Sequence, residues 1–308
     1  MKEQNSAENA ELNFNNKQKS RVKIHDFFWW WLFYFNLDKI RALWYNYDKL
    51  RKERLGMPKF FVDSKQVDNG EIRITGNDVN HIKNVLRMKC GDTFNVCDSV
   101  NSENYMVSIN RFEQETIICD ILEKYNDTAE SNVKVHIYQG LPKADKMELI
   151  IQKSVELGVA KITPIEMKRC VVKLDGKDRI KKIERWKKIA EVAAKQSGRD
   201  IIPEVCNVKS VKEITEDFSQ YDLVILCYEN EKENYFKEVL KKNITENKSD
   251  LNIAIIIGPE GGIDISEVEY MSQNGAKVVS LGNRILRTET VAISLLSIIM
   301  YEFERNEN

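Results

Sequence analysis

Histidine is scarce in this 308-residue chain: there are three, His25, His81 and His136, and none lies near a cysteine. The six cysteines, Cys90, Cys97, Cys119, Cys170, Cys206 and Cys227, are scattered with no Cys-x-x-Cys pair. That excludes the ligand spacings of a zinc site and the dense framework of a small secreted domain, and leaves reduced thiols of a cytoplasmic protein with no metal. The longest apolar run, "FFWWWLFYF", has nine residues, too short to span a bilayer, and no small-residue cleavage site follows it. No low-complexity tail is present. A P-loop is missing as well, and so is the Gly-x-Gly-x-x-Gly of a dinucleotide fold.

What is present is a soluble globular composition, 42% hydrophobic and 31% charged, with a formal net charge of −1. A protein that coats nucleic acid over its whole surface is thereby excluded, but a local footprint is not. From Lys143 to Arg199 there are 16 Lys/Arg against 8 Asp/Glu. Such a stripe suits a phosphate backbone, and it equally suits a solvated helix face such as "DGKDRIKKIERWKK".

The pattern divides the chain into three. Residues 1–56 carry four of the five tryptophans and match nothing that follows. They form an extension, read either as an upstream segment rarely translated or as a genuine addition lying on a membrane surface or docking elsewhere. Residues 57–128 read as short alternating strands, "KFFVD", "EIRIT", "DTFNVCDS", "ENYMVSINRF" and "TIICDILEKY", interrupted by one helix. Thr75 and Asp78 have capping-box spacing at its start, and a small β-barrel is expected. After the polar "NDTAESN", residues 133–308 alternate buried strands and helices, the signature of a parallel α/β sheet. His136, on the opposite face of its strand from Val133, Val135 and Ile137, reads as a satisfied or half-exposed strand histidine in preference to a catalytic one.

In such sheets ligands sit at the carboxyl ends of the strands. Three ends converge: "LCYEN", "GPEGG" and "LGNRILRTET". A Gly turn after a parallel strand can cradle phosphate, but Glu260 in its middle would repel a triphosphate, so a neutral or cationic ligand fits better. The last loop runs into "TVAISLLSIIMYEF", apolar on nearly every face, which suits burial against the sheet and against a second subunit, with Leu295 and Ile299 expected at that interface.

"IGPEGGIDISEVE", "LGNRILRTETVAISLL", "QGLPKADKMELIIQKSVELGVAKITPI" and "KKIAEVAAKQSGR" together resemble the RsmE family, bacterial methyltransferases of uridine N3 in 16S ribosomal RNA. The resemblance covers residues 57–304, and "MPKFF" at Met57 is similar to the family's start. It implies a SPOUT domain with a trefoil knot, preceded by a PUA-like RNA-binding barrel. It also implies S-adenosyl-L-methionine (AdoMet) bound at the interface of a homodimer, with assembled small subunits as substrate. The implied cofactor residues are Leu226, Cys227, Tyr228, Glu229, Gly258, Pro259, Glu260, Gly261, Gly262, Leu281, Gly282, Ile285, Leu286 and Arg287. Lys143, Lys146, Arg169, Gln196 and Arg199 fall on the implied RNA face, with capping or ion pairing the other reading of Arg199. Arg287 is the candidate for stabilising charge on a uracil oxygen and Glu289 a weaker candidate base, with a structural ion pair between them as the alternative. Ile263 and Asp264 depart mildly from the family, Asp264 remaining a good N-cap. The rival functions are a related methyltransferase acting on ribose or on transfer RNA, and a non-catalytic RNA-binding factor. The barrel before the α/β domain favours the RsmE reading over these.

Overall fold

The computed structural model describes residues 57–126, 129–243 and 250–303. The chain divides into two units, Met1–Met57 and Pro58–Asn308, so the expected extension lies outside the described residues.

The second unit opens with β1 (Lys59–Val62), β2 (Val67–Asp68), β3 (Glu71–Thr75), α1 (Asn77–Asn80), β4 (Thr93–Asp98), β5 (Glu103–Phe112) and β6 (Thr116–Tyr125). The strands form one sheet in the order β1-β4-β5-β6-β3-β2. Their alternation puts Phe60, Ile72, Ile74, Phe94, Val96, Val107, Ile109 and Ile117 into a single core. Register shifts in β5, between Met106 and Val107 and between Ile109 and Arg111, break its ladder with β6 at two points.

The expected capping box does not form. Thr75 is paired with Thr116 inside the sheet, and the cap position falls on Gly76 at φ +71°, a left-handed conformation that leaves no side chain to cap. Asp78 instead binds Lys195 at 2.8 Å. The helix is correspondingly short and passes into a π-helical turn, His81–Val85.

The chain continues with β7 (Val133–Gly140), α2 (Lys146–Glu156), β8 (Lys161–Glu166), α3 (Gly176–Gln196), β9 (Glu204–Val205), β10 (Lys209–Ser210) and α4 (Val211–Thr215). It ends with β11 (Leu223–Cys227), α5 (Phe236–Asn243), β12 (Leu251–Ile257), α6 (Ile265–Gln273), β13 (Lys277–Val279) and α7 (Thr288–Phe303). The strands make a seven-stranded parallel sheet, β10-β8-β7-β12-β11-β13, with β9 on β8. Helices cover both faces, which is why β12 tolerates Ile253, Ala254, Ile255, Ile256 and Ile257 in unbroken succession. α3 buries Ile183, Trp186, Ala190 and Ala193, the stripe its periodicity predicts, and Asp264 caps α6 by accepting from the Ser266 N–H.

β12 lies between β7 and β11, whereas β13 pairs with the other edge of β11. The segment between β12 and β13 therefore crosses the end of β11, and α7 then returns to pack on α2 and β7. Leu295 and Ile299, 1% and 0% exposed, are spent in that intrachain packing, which corrects their expected place at a subunit interface. The apolar groups α7 leaves outside are Ile298 and Tyr301.

Candidate active site

Four strand ends, those of β7, β11, β12 and β13, meet at one edge of the sheet, and the turns that leave three of them are locked together by close contacts. Gly140 at the end of β7 lies so near Pro259 that a Cβ would come within 2.7 Å of its ring. Gly258 faces Ile263 in the same way, and Gly261 lies against the Arg169 backbone. Gly262 combines a φ of +71° with contact against the Glu229 carboxylate, so only glycine satisfies both the turn and its neighbour. The Thr288 hydroxyl donates to the Gly258 carbonyl at 2.8 Å and accepts from the buried Gln139 amide at 2.8 Å. The start of α7 is thus tied to the glycine turn and, through a side chain 149 residues away in the chain, to the end of β7.

These turns enclose a cleft of about 890 Å³. Every cofactor residue expected from the sequence lines it except Leu226, which is fully buried in β11 behind it. Lys146, expected on the RNA face, lines it too. Its ammonium lies 3.0 Å from Glu260 and 3.4 Å from Glu289, so Glu289 faces Lys146, the alternative pairing with Arg287 not being formed. The bond to Glu260 raises the Lys146 pKa. Burial acts to raise that of Glu260, but hydrogen bonds from its own backbone N–H, from Lys146 and from the Lys143 N–H outweigh it and hold the carboxyl below its usual value. Arg287 is exposed on the cleft wall one residue before α7, and its guanidinium has no ion pair among the described residues.

The remaining expected RNA residues separate. Lys143, Arg169 and Gln196 are exposed, and Arg169 reaches the Gly261 carbonyl at 3.4 Å and Asp264 at 3.6 Å, beside the cleft. Arg199 is 5% exposed, and its guanidinium is consumed by Glu130 and by the carbonyls of Val155 and Val159. It takes the ion-pair alternative and presents no donor to a ligand. Sequence reasoning missed Glu231, Lys232 and Tyr235 in the cleft wall. The polar run "ENEKENY" directly after β11 was the available signal.

The profile of an RNA methyltransferase domain matches residues 129–300, and that of an RNA methyltransferase PUA domain matches residues 74–103. The Bacillus subtilis protein named ribosomal RNA small subunit methyltransferase E is 36% identical over 251 residues, spanning 80% of this chain and 98% of its own length. The chain belongs to the ribosomal RNA small subunit methyltransferase E family. Its Mesomycoplasma hyopneumoniae relative of that name is also 36% identical, over 78% of this chain and 98% of the relative. The Neisseria gonorrhoeae methyltransferase E, solved bound to S-adenosyl methionine, superposes with a TM-score of 0.68 at 26% identity, covering 80% of this chain and 97% of that one. A Legionella pneumophila protein solved with the cofactor SAM superposes at 0.70 and 28% identity, with the same coverages.

The cleft fits such a group by its own geometry. Its volume lies in the range of ligand sites, the glycines let the turns that line it pack closely on one another, and Glu229 and Glu260 offer negative charge to a sulfonium.

Proposed function

We propose that this protein methylates N3 of a uridine in 16S ribosomal RNA, with AdoMet held by the Glu229, Gly258–Gly262 and Leu281–Arg287 segments. The observation that carries the reading is the glycine-lined cleft at the ends of β11, β12 and β13 in a chain of this family. AdoMet supplies the methyl group. The chain's residues have two tasks left: to hold the uracil nitrogen in line and to offset the charge that grows as its proton leaves.

Arg287 suits the second task, because its unpaired guanidinium and the positive end of α7 lie at the same corner of the cleft. Glu289 in the first turn of α7 is the candidate proton acceptor, held by Lys146. Lys143 and Arg169 flank the opening and would take phosphate.

The reading includes the threading of the return to α7 as a trefoil knot, and a homodimer built on the exposed Ile285 of the cleft wall and Ile298 and Tyr301 of α7. It includes assembled small subunits as substrate, a cytoplasmic location and a residue 1–56 extension dispensable for catalysis. No helix among the described residues is long and apolar enough to cross a membrane.

Purified protein should transfer label from AdoMet to undermethylated small subunits. The modified base should stop reverse transcriptase at one uridine, because N3 methylation blocks Watson–Crick pairing. A methyl found by mass spectrometry on ribose or on another base would refute the N3 assignment. A chain starting at Met57 should retain the activity, and its loss would show that the extension is required.

A further inference from the structure

A second groove, of about 390 Å³, runs between α2 and α3 away from the cofactor cleft. Its floor is aliphatic, with Ile189 and Ala193 beside Val192, which is 59% exposed. Its lips carry Gln152, Gln196 and Lys188, none of which has a hydrogen bond or ion pair among the described residues. The helix that forms one wall, Gly176–Gln196, has eight Lys/Arg against three Asp/Glu.

This combination differs from a merely solvated basic face. A solvated face needs charge alone, whereas here two amides and the Lys188 ammonium, together with Arg185 paired to Glu148 and Glu156 paired to Lys153, surround an apolar floor. Amides can read the edges of an unpaired base, the floor can receive its flat face, and the lysine can take the adjoining phosphate. The groove is also connected to the reaction site. Lys146, which lines the cofactor cleft, and Gln152 and Glu156, which line the groove, all belong to α2. At about 1.5 Å per residue, the groove begins about 9 Å along the helix from Lys146 and ends at about 15 Å. A stacked strand advances about 3.4 Å per nucleotide, so roughly three to four nucleotides separate the two positions. Leu149, 41% exposed, lies between them on α2.

We propose that the groove between α2 and α3 is a subsite for an unpaired nucleotide of the RNA substrate, a few positions from the methylated base. It anchors the strand while the target base occupies the cofactor cleft. The proposal rests on the reading of RNA as substrate and adds to it a second contact that the cofactor does not share.

The test uses the full-length protein and undermethylated small subunits. Lys188→Glu and Val192→Asp alter exposed side chains, so both should fold. Each should raise KM for the subunits about tenfold, with AdoMet affinity unchanged, and Lys188→Glu should reduce the salt dependence of RNA binding by about one unit of slope. Lys188→Arg should restore the KM, and Lys212→Glu, on an exposed lysine outside both clefts, should not change it. A photo-crosslinking residue at position 192 should label 16S RNA within about four nucleotides of the modified base. Unchanged KM and salt slope in the groove variants would overturn the subsite, and so would crosslinks to a ribosomal protein in place of RNA. Wild-type protein that methylates no small subunit would instead overturn the activity reading, and the crosslink position would then decide the subsite alone.

Discussion

At Arg199 a buried guanidinium bonds a carboxylate and two main-chain carbonyls, and Glu130 in turn accepts the N–H groups of Asp200 and Ile201. Removing the cation would leave two buried carbonyls unbonded and the partly buried Glu130 carboxylate without its counter-ion. Arg199→Ala should therefore cost about 3–5 kcal/mol, read as a fall in the urea midpoint, with any loss of RNA binding following from unfolding. Arg287, exposed on the cleft, should behave in the opposite way: Arg287→Ala should leave the urea midpoint in place and lower kcat far more than it weakens RNA binding. Equal losses in both would show that the side chain grips substrate and does not serve the transition state. His136 supplies a pH dependence. Burial first, then the charges of Lys161 and Lys209 against the opposing Asp217, push its pKa down to about 3, and its ring nitrogens bond Tyr221 and Thr163. The unfolded chain protonates this histidine near pH 6.5 and the folded chain does not, so the unfolded state binds more protons between about 6.5 and 3. Stability should fall as pH drops through that window, and His136→Gln should flatten the fall in denaturant titrations at pH 7 and 4.5.

Among the elements, those with a strong period were legible in the sequence: α2, α3 and the strands β7, β8, β11, β12 and β13 appear where alternation and helical spacing place them. So were the three loops that line the cleft, because Gly and polar residues interrupt apolar runs there. Pairings across the chain were not legible. Nothing local says that Asp78 will leave its own helix for Lys195, or that Glu260 and Glu289 will share Lys146. The two-residue strands β9 and β10 carry too few side chains to show a period. The all-round apolar character of α7 was visible, but which face is turned inward depends on neighbours brought from α2 and β7. That distinction yields a paired prediction. Leu295→Asp should prevent folding, whereas Ile298→Asp, at a position 47% exposed, should leave a folded chain whose sedimentation shifts from dimer to monomer. The glycine turn gives another. Gly262→Ala must hold an L residue at φ +71° and push back the Glu229 carboxylate, so AdoMet should bind at least about tenfold more weakly by calorimetry.

At the scale of the described unit, the PUA-like sheet and the methyltransferase domain are joined by buried charge as well as by chain connectivity. Lys59 of β1 pairs with Asp200 beyond the end of α3, both nearly inaccessible, and the other Asp200 oxygen accepts the Ala129 N–H at 2.7 Å. Lys195 reaches from α3 to Asp78 and lies over the Phe60 ring. The "KFF" and "QSGR" segments thus meet at a joint, which accounts for the burial of Arg199 beside it better than direct contact with RNA would. A buried ion pair contributes direction more than net stability, because its desolvation cost consumes much of its attraction. Lys59→Met should therefore destabilise the protein by about 3–5 kcal/mol by leaving Asp200 uncompensated, whereas Lys59→Met with Asp200→Leu should recover most of the loss. Orientation should not recover with it. Hydrogen exchange at residues 129–132, next to the joint, should remain faster in the double variant than in the wild type, and KM for small subunits should stay raised while AdoMet affinity returns. A double variant with wild-type exchange and wild-type KM would mean that apolar packing alone orients the sheet, and that the ion pair has no part in presenting RNA to the cleft.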